Sequence, residues 1–140
     1  GESDTRMLSE LTEEAVDAFV DAAGPGSGSP LLIAELRHVG GALGRVPAEY
    51  GALPVLDAAY ALFALGVAFT PEMGAVSLEA ARALTARMDA WSNGKRYLNF
   101  AENPTDPRFG FGQLTYRRLQ AVRRRVDPRG VMHANHEIGT

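Results

Sequence analysis

A tyrosine and an asparagine lie two positions apart in the last third of the chain, at Tyr97 and Asn99. Residues 96–101 combine aromatic and apolar side chains, which predicts a short strand whose successive side chains point to opposite faces. Tyr97 and Asn99 would then share one face, while Leu98 and Phe100 would anchor the other face in the core. The pattern therefore predicts a phenol and an amide side by side on an accessible surface.

This pair of side chains suits redox or proton-transfer chemistry. A phenol can take a proton from a substrate hydroxyl if nearby positive charge lowers its pKa from the usual value of about 10. An amide can hydrogen-bond a cofactor carbonyl or the substrate and hold either one in register. On its own, however, a tyrosine and an asparagine at this spacing more often have a purely structural role.

Other polar residues offer weaker candidates. Arg37 shares a predicted strand face with Glu35 and could bind an acidic group of a substrate, although an ion pair across strands explains it more simply. His133, His136 and Glu137 do not have the spacing of a helical zinc motif, so we expect no metal site. No nucleophile-elbow sequence is present, so hydrolase chemistry has no support.

Composition limits the partners of the chain. Its 140 residues carry a net charge of −3, and the arginines near the C-terminus come without an aromatic platform, so we expect no nucleic-acid partner. The longest apolar stretch is broken by Gly66, so we expect no membrane partner. The chain has no cysteine, which excludes disulfides and thiolate ligands. The first residues do not resemble a signal peptide, and we expect a cytoplasmic location.

Helices and strands alternate along the sequence. Thr12 is a suitable N-cap for a first helix, and a Gly/Ser/Pro loop follows that helix. We then predict a strand at residues 31–39, a loop at 42–55, a strand at 57–69, a helix from Ser77 to Asn93, the strand at 96–101 and a last helix at about 113–125. This order favours an α+β fold, in which an antiparallel sheet is covered on one face by helices, and a single domain over residues 1–140.

Several stretches resemble a known family. The segment around Tyr97, the arginine-rich helix after it, the turn at residues 127–130 and the ending at Asn135 together resemble the C-terminal end of the berberine-bridge-enzyme-like, FAD-linked oxidoreductases. Residues 35–43 and 57–68 look like two strands of the substrate-binding domain in bacterial members of this vanillyl-alcohol-oxidase type. The resemblance covers most of the chain.

The resemblance implies FAD-dependent oxidation of a small organic substrate. Tyr97 is the implied catalytic base or substrate contact, Tyr97, Asn99 and Asn135 are the implied cofactor contacts, and Arg37 remains the candidate for substrate binding. Phe100 replaces the second phenol that many members have. Without cysteine, a thioether link to the flavin is impossible. The flavin domain has no counterpart here, so the FAD would be held mainly by a domain of a longer parent chain, and the isolated chain would be inactive.

A second interpretation remains open. The chain could be a non-catalytic module that binds a small molecule or forms a homodimer and never meets a flavin. In the first interpretation, the face that carries Tyr97 and Asn99 should be open to water like an interface without its partner. In the second, it should be covered by the chain's own loops or by a second copy.

Overall fold

The centre of the molecule is a three-stranded antiparallel sheet, which the computed structural model shows within residues 1–139. The strands are β1 (Glu2–Leu8), β2 (Leu31–His38) and β3 (Tyr60–Gly66), in the order β1–β3–β2. Leu8 of β1 and His38 of β2 both lie opposite Tyr60 of β3. The predicted α+β class and the antiparallel sheet are confirmed.

Two helices cover one face of this sheet. They are α1 (Glu13–Ala23) and α2 (Pro71–Arg87), and each begins after a threonine whose side chain accepts a backbone hydrogen bond. Thr12 caps α1 as predicted, accepting from the Ala15 amide at 3.2 Å. Thr70 caps α2 in the same way, and the proline that follows suits the first helical position. Both helix starts therefore follow from local sequence.

The main core lies between the sheet and these two helices. Its buried residues come from β1, α1, β3 and the end of α2, and they are Leu8, Ala15, Leu62, Ala64, Ala81, Leu84 and Met88. Small side chains bring α2 close to the sheet, most clearly at Gly66. An added Cβ there would lie 2.4 Å from both the Cβ and the Oγ of Ser77.

β1 was not predicted, because its sequence is mostly polar. The structure nevertheless buries Ser3, Asp4 and Thr5. Their polar atoms are paired: the Ser3 hydroxyl donates to the Phe100 carbonyl at 2.9 Å, and the Thr5 hydroxyl donates to the Leu62 carbonyl at 2.8 Å. Buried polar groups are tolerated when each finds a partner, and here those partners lie far away in the sequence.

Two predicted boundaries also change. α2 begins at Pro71 rather than at Ser77, because the Thr70 cap and Pro71 start the helix before its apolar stripe becomes regular. β3 is shorter than predicted and covers only Tyr60–Gly66. Residues 58–59 instead form a bend where the chain enters the sheet. The loop before β3 is confirmed, with one short 3₁₀ turn at Gly41–Gly44.

The last helix is α3 (Arg108–Val126), which contains a break at Gly112. Gly112 has φ of +74°, a conformation that glycine adopts easily, so a short first turn and a longer second part are joined there. The prediction placed the start near Gln113 and therefore found only the second part. Within the described residues, no helix has both the length and the apolar character needed to cross a membrane.

Candidate functional site

The candidate site is built on residues 96–101, called the site segment from here on. The chain reaches it along the outer edge of β1, where backbone bonds join Ser9 to Trp91 (2.9 Å), Asn93 to Met7 (3.0 Å) and Met7 to Lys95 (3.0 Å). Residues 91–95 thus act as an irregular fourth strand. They deliver Arg96 to a fixed position beside β1.

The predicted strand at residues 96–101 is wrong. The chain leaves the sheet edge at Arg96, whose amide donates to the Phe109 carbonyl at 3.0 Å. The Thr5 carbonyl on β1 accepts instead from the Arg6 guanidinium at 2.9 Å. The site segment then forms a 3₁₀ turn at Leu98–Phe100. Where pairing along the edge of β1 ends, the Arg6 side chain therefore occupies the Thr5 carbonyl that a further paired residue would have used.

A buried carboxylate holds the start of the site segment. Asp4 accepts from Arg96 Nη1 at 2.9 Å and from Arg6 Nη1 at 3.0 Å, and the Thr85 hydroxyl donates to it from α2. Asp4 is 7% exposed, so these donors replace water around its charge. The site segment is thereby tied to both β1 and α2.

Two aromatic rings of the site segment lie on the sheet face opposite α1 and α2, called the far face. Phe100 stacks on Phe63 of β3 with the ring centroids 4.7 Å apart, and the edge of Tyr97 meets Phe100 at 4.8 Å. Both rings pack against a small second core of Met7, Val39 and Ala61. The turn therefore places an aromatic cluster on the far face without any strand alternation.

Tyr97 and Asn99 do come together, as predicted, but through the turn. The Asn99 side-chain amide donates to the Tyr97 hydroxyl oxygen at 3.2 Å. Because the phenol oxygen accepts this bond, its own hydrogen is free to be donated elsewhere. Tyr97 is partly buried and Asn99 is exposed. A ligand on this side of the molecule could reach both groups.

Arg37 lies next to this cluster. Its Nε donates to Glu35 at 2.6 Å along the same strand, and its guanidinium lies 4.9 Å from the centre of the Phe100 ring. This bond uses Nε, which leaves the terminal nitrogens facing outward for another acceptor. A substrate-binding role for Arg37 stays a prediction. The pairing with Glu35 makes the position close to neutral overall.

Asn135 lies elsewhere in the site. Its amide donates to the Ala101 carbonyl at 3.3 Å, at the end of the site segment. The structure therefore shows a contact to the protein backbone, and the predicted contact between Asn135 and the cofactor stays a prediction. The aromatic partners Phe63 and Phe100 were not identified as a pair from the sequence. Phe63 alternates with Leu62 and Ala64 along β3, and this alternation was the sequence signal that Phe63 lies on the opposite face from them.

Two carboxyl groups in and just before the tail after α3, those of Asp127 and Glu137, have lowered pKa values. The backbone amide of Val131, followed by that of Met132, holds the pKa of the Asp127 carboxyl below its usual value. A hydrogen bond from Arg123 lowers the pKa of Glu137 in the same way. The His133 ring nitrogen lies 3.8 Å from Glu137. Among residues 1–139, no three His, Asp or Glu side chains converge as a metal site would require.

The candidate site suits the ring system of a flavin better than the pyrophosphate of FAD. An aromatic cluster with an adjacent phenol and amide suits a flat, hydrogen-bonding ring system. The glycine-rich loop at residues 24–30 leads into β2, whereas phosphate-binding glycine loops lead into a helix N-terminus. The aromatic cluster with its phenol and amide could therefore contact the ring system of FAD, whereas the loop at residues 24–30 offers no comparable cradle for its pyrophosphate.

Comparisons with known proteins agree with this fold. No protein-family profile matches the sequence, and no curated protein is significantly similar to it. Among solved structures, this fold is similar to a part of a protein described as BBE-like.

That protein is BBE-like 1 of Physcomitrella patens, one of several matching chains, with a TM-score of 0.79 and 15% sequence identity. An aspartate-to-asparagine variant of that protein matches equally well. The match covers 99% of this chain and 30% of that chain, so this chain spans less than a third of the matched protein. At this level of identity, the likeness establishes the fold alone.

Proposed function

We propose that this chain is the C-terminal, substrate-side portion of an FAD-dependent oxidoreductase that passes hydride from a small organic substrate to flavin. The observation that carries the proposal is the match of 99% of the chain to 30% of a BBE-like protein. The remainder of such a protein would hold most of the FAD. Tyr97, Asn99 and the Phe63–Phe100 stack would face the ring system from the far face.

Each residue of the site has a role that follows from its chemistry. FAD, when bound, would supply a hydride acceptor for a substrate carbon. In its ionised form Tyr97 would accept the proton of the substrate hydroxyl, and the Asn99 amide would fix the orientation of the phenol oxygen through the bond at 3.2 Å. Phe100 would exclude water from one side of this pair, because it is packed between Phe63 and Tyr97.

The charge near the site bears on the substrate. Arg37 and Glu35 form a contact of 2.6 Å, so their charges largely cancel. A neutral substrate with hydroxyl groups would therefore be accepted more readily than a strongly anionic one. The terminal nitrogens of Arg37 could still donate to a hydroxyl or carbonyl oxygen of that substrate.

The first test is the intact mass and visible absorbance of the protein expressed from its full native reading frame. We expect a longer chain with flavin bands near roughly 370 and 450 nm, as a property of the cofactor. A colourless native product of about this length would contradict the proposal.

Tyr97→Phe tests the role of the phenol in that flavoprotein. Removing a general base typically lowers the rate about 10²- to 10⁴-fold, so we expect a kcat/KM loss in this range with flavin content unchanged. Tyr60→Phe is the matched control, because Tyr60 packs against the main core away from the far face, and its hydroxyl makes no hydrogen bond within residues 1–139. Equal activity of the two variants would remove Tyr97 from the chemistry.

A non-catalytic binding or dimerisation module is the second candidate. The observation in its favour is that the site segment itself covers part of the far face, where Tyr97 and Phe100 pack on the second core. The absorbance measurement separates the two candidates. A second readout is the oligomeric state in solution. If a second copy of the chain covers the far face, the particle will have twice the mass of the chain.

A further inference from the structure

The site segment is a short turn that cannot hold its own shape. Its internal backbone bonds are two, from Phe100 to Tyr97 at 2.8 Å and from Ala101 to Leu98 at 3.2 Å. A single 3₁₀ turn has little intrinsic stability, because its hydrogen bonds are poorly aligned. The geometry of Tyr97 and Asn99 therefore depends on contacts from outside the turn. Arg96 provides one such contact at the start of the segment.

A histidine from the C-terminal tail contacts the site segment at Leu98 and the loop after the segment at Thr105. His136 Nε2 lies 2.9 Å from the Leu98 carbonyl oxygen, and the Thr105 amide donates to His136 Nδ1 at 3.1 Å. An amide N–H can only donate, so Nδ1 must carry the lone pair and Nε2 must carry the hydrogen. The ring is thus assigned as the neutral Nε2–H tautomer. It bridges the 3₁₀ turn to the loop that follows.

The tail that presents this ring is itself anchored to α3. Arg123 donates both to the Glu137 carboxylate and to the Ile138 carbonyl. The Gly139 amide donates to the Tyr116 hydroxyl at 3.1 Å. Tyr116 and Arg123 are about two helical turns apart on α3, so the tail is held along the helix. His136 therefore connects the tail held on α3 to the 3₁₀ turn of the site segment.

We propose that His136 is a positioning residue that sets the orientation of Tyr97 and Asn99 through the Leu98 carbonyl and the Thr105 amide. The inference rests on the proposed function for its significance to catalysis. The contacts themselves lie within this chain, so the positioning can be tested without flavin. Both ring nitrogens of His136 are used in these bonds.

Three variants of the 140-residue chain test the proposal by NMR. His136→Ala removes both bonds. His136→Gln keeps one acceptor and one donor at a spacing close to that of the two ring nitrogens. His133→Ala removes the same ring from an exposed position of the same tail, where the side chain is 88% exposed.

The readouts are the ring-proton shifts of Tyr97 and the hydrogen exchange of the Thr105 amide. In His136→Ala we expect the Tyr97 shifts to change, because the edge contact with Phe100 at 4.8 Å is lost. We also expect Thr105 to exchange at least about fivefold faster, the factor that corresponds to one hydrogen bond. His136→Gln should stay close to the native protein, and His133→Ala should be indistinguishable from it. Amides of β3 serve as the internal reference.

Two results would overturn the proposal. The first is a His136→Ala spectrum with native Tyr97 shifts and native Thr105 exchange. The second is equal disturbance by His136→Gln and His136→Ala, which would mean that ring volume matters and hydrogen bonding does not. If His136→Ala fails to fold, the imidazole nitrogen signals of the native chain decide, since a hydrogen on Nδ1 contradicts the assigned bridge. A colourless native product would refute the proposed function while leaving this result standing.

Discussion

At the residue scale, the carboxylate of Asp4 connects the sheet to the candidate site. It accepts from Arg6 and Arg96 at 3.0 and 2.9 Å while only 7% exposed. A buried ion pair adds little compared with a well-packed apolar pair, but removing one partner leaves the other charge buried and unpaired. The stability of the site segment should therefore be unusually sensitive to this one side chain.

We predict that Asp4→Asn lowers the free energy of unfolding by about 3 kcal/mol, because the partly buried Arg96 loses its counter-charge and the partly buried Arg6 keeps only the exposed Asp89. Urea unfolding followed by circular dichroism would measure the change. Asp57→Asn is the matched control, since Asp57 pairs with Lys95 at 2.7 Å but its side chain is 77% exposed. Exposed pairs contribute roughly 0–1 kcal/mol, so this variant should unfold almost like the native chain. A similar loss in both variants would show that burial of Asp4 is not the cause.

At the element scale, local signals identified the helices and two of the strands, while long-range pairing determined the remainder. The Thr12 cap and the apolar run of β2 could be read directly from neighbouring residues. β1 could not, since its polar side chains are satisfied by partners such as Leu62 and Phe100, which lie far along the chain. The wrong prediction of a strand at residues 96–101 has the same origin. The aromatic pattern there suits a strand, but the sequence does not show that pairing with the edge of β1 ends at Lys95.

Tyr97 and Asn99 lie together as predicted, but the physical reason differs from the predicted one. Strand alternation would have placed them on one face, whereas the structure joins the two side chains through a 3₁₀ turn and a hydrogen bond of 3.2 Å. The role of the tail could not be predicted either. Contacts between His136 and Leu98 span 38 positions and involve a backbone carbonyl, which leaves no trace in residue type.

The contact between β3 and α2 gives a prediction for the whole helix-covered layer. At Gly66, an added methyl group would lie 2.4 Å from the Ser77 side chain and 3.0 Å from its Cα, so either β3 or α2 must move. Overpacking of this kind typically costs about 1–3 kcal/mol, and we expect Gly66→Ala to lose stability in that range.

Thermal or urea unfolding would measure the loss in Gly66→Ala. Gly51→Ala serves as the control, because a Cβ at Gly51 has nothing within 4 Å. It should be neutral or slightly stabilising, as a glycine replaced by alanine in open space restricts mainly the unfolded chain. If Gly66→Ala were as stable as Gly51→Ala, the close approach of α2 to the sheet would be wrong.

At the scale of the whole molecule, the loop between β2 and β3 exposes several large apolar side chains. Four large side chains lie in it, and their exposed fractions are 50% for Leu43, 61% for Val46, 63% for Tyr50 and 44% for Leu53. Long loops of this kind are uncommon in compact domains unless they bind something. Clustered exposed apolar groups commonly mark an interface. The match to only 30% of a BBE-like chain provides a candidate for the covering partner, namely the remainder of a longer protein.

We therefore predict that residues 41–56 exchange their backbone amide hydrogens more slowly in the native full-length product than in the 140-residue chain. Burial of the loop against the rest of the protein would exclude water and restrict local opening. The glycine- and serine-rich loop at residues 24–30 is the internal control, since it is largely exposed and contains only glycine, serine and proline. Mass-spectrometric hydrogen exchange would compare both segments under identical conditions. If the native product is this chain alone, the same exchange is measured at several protein concentrations. Protection of residues 41–56 that increases with concentration would indicate a homodimer. Equally fast exchange at all concentrations would mean that the loop has no protein partner.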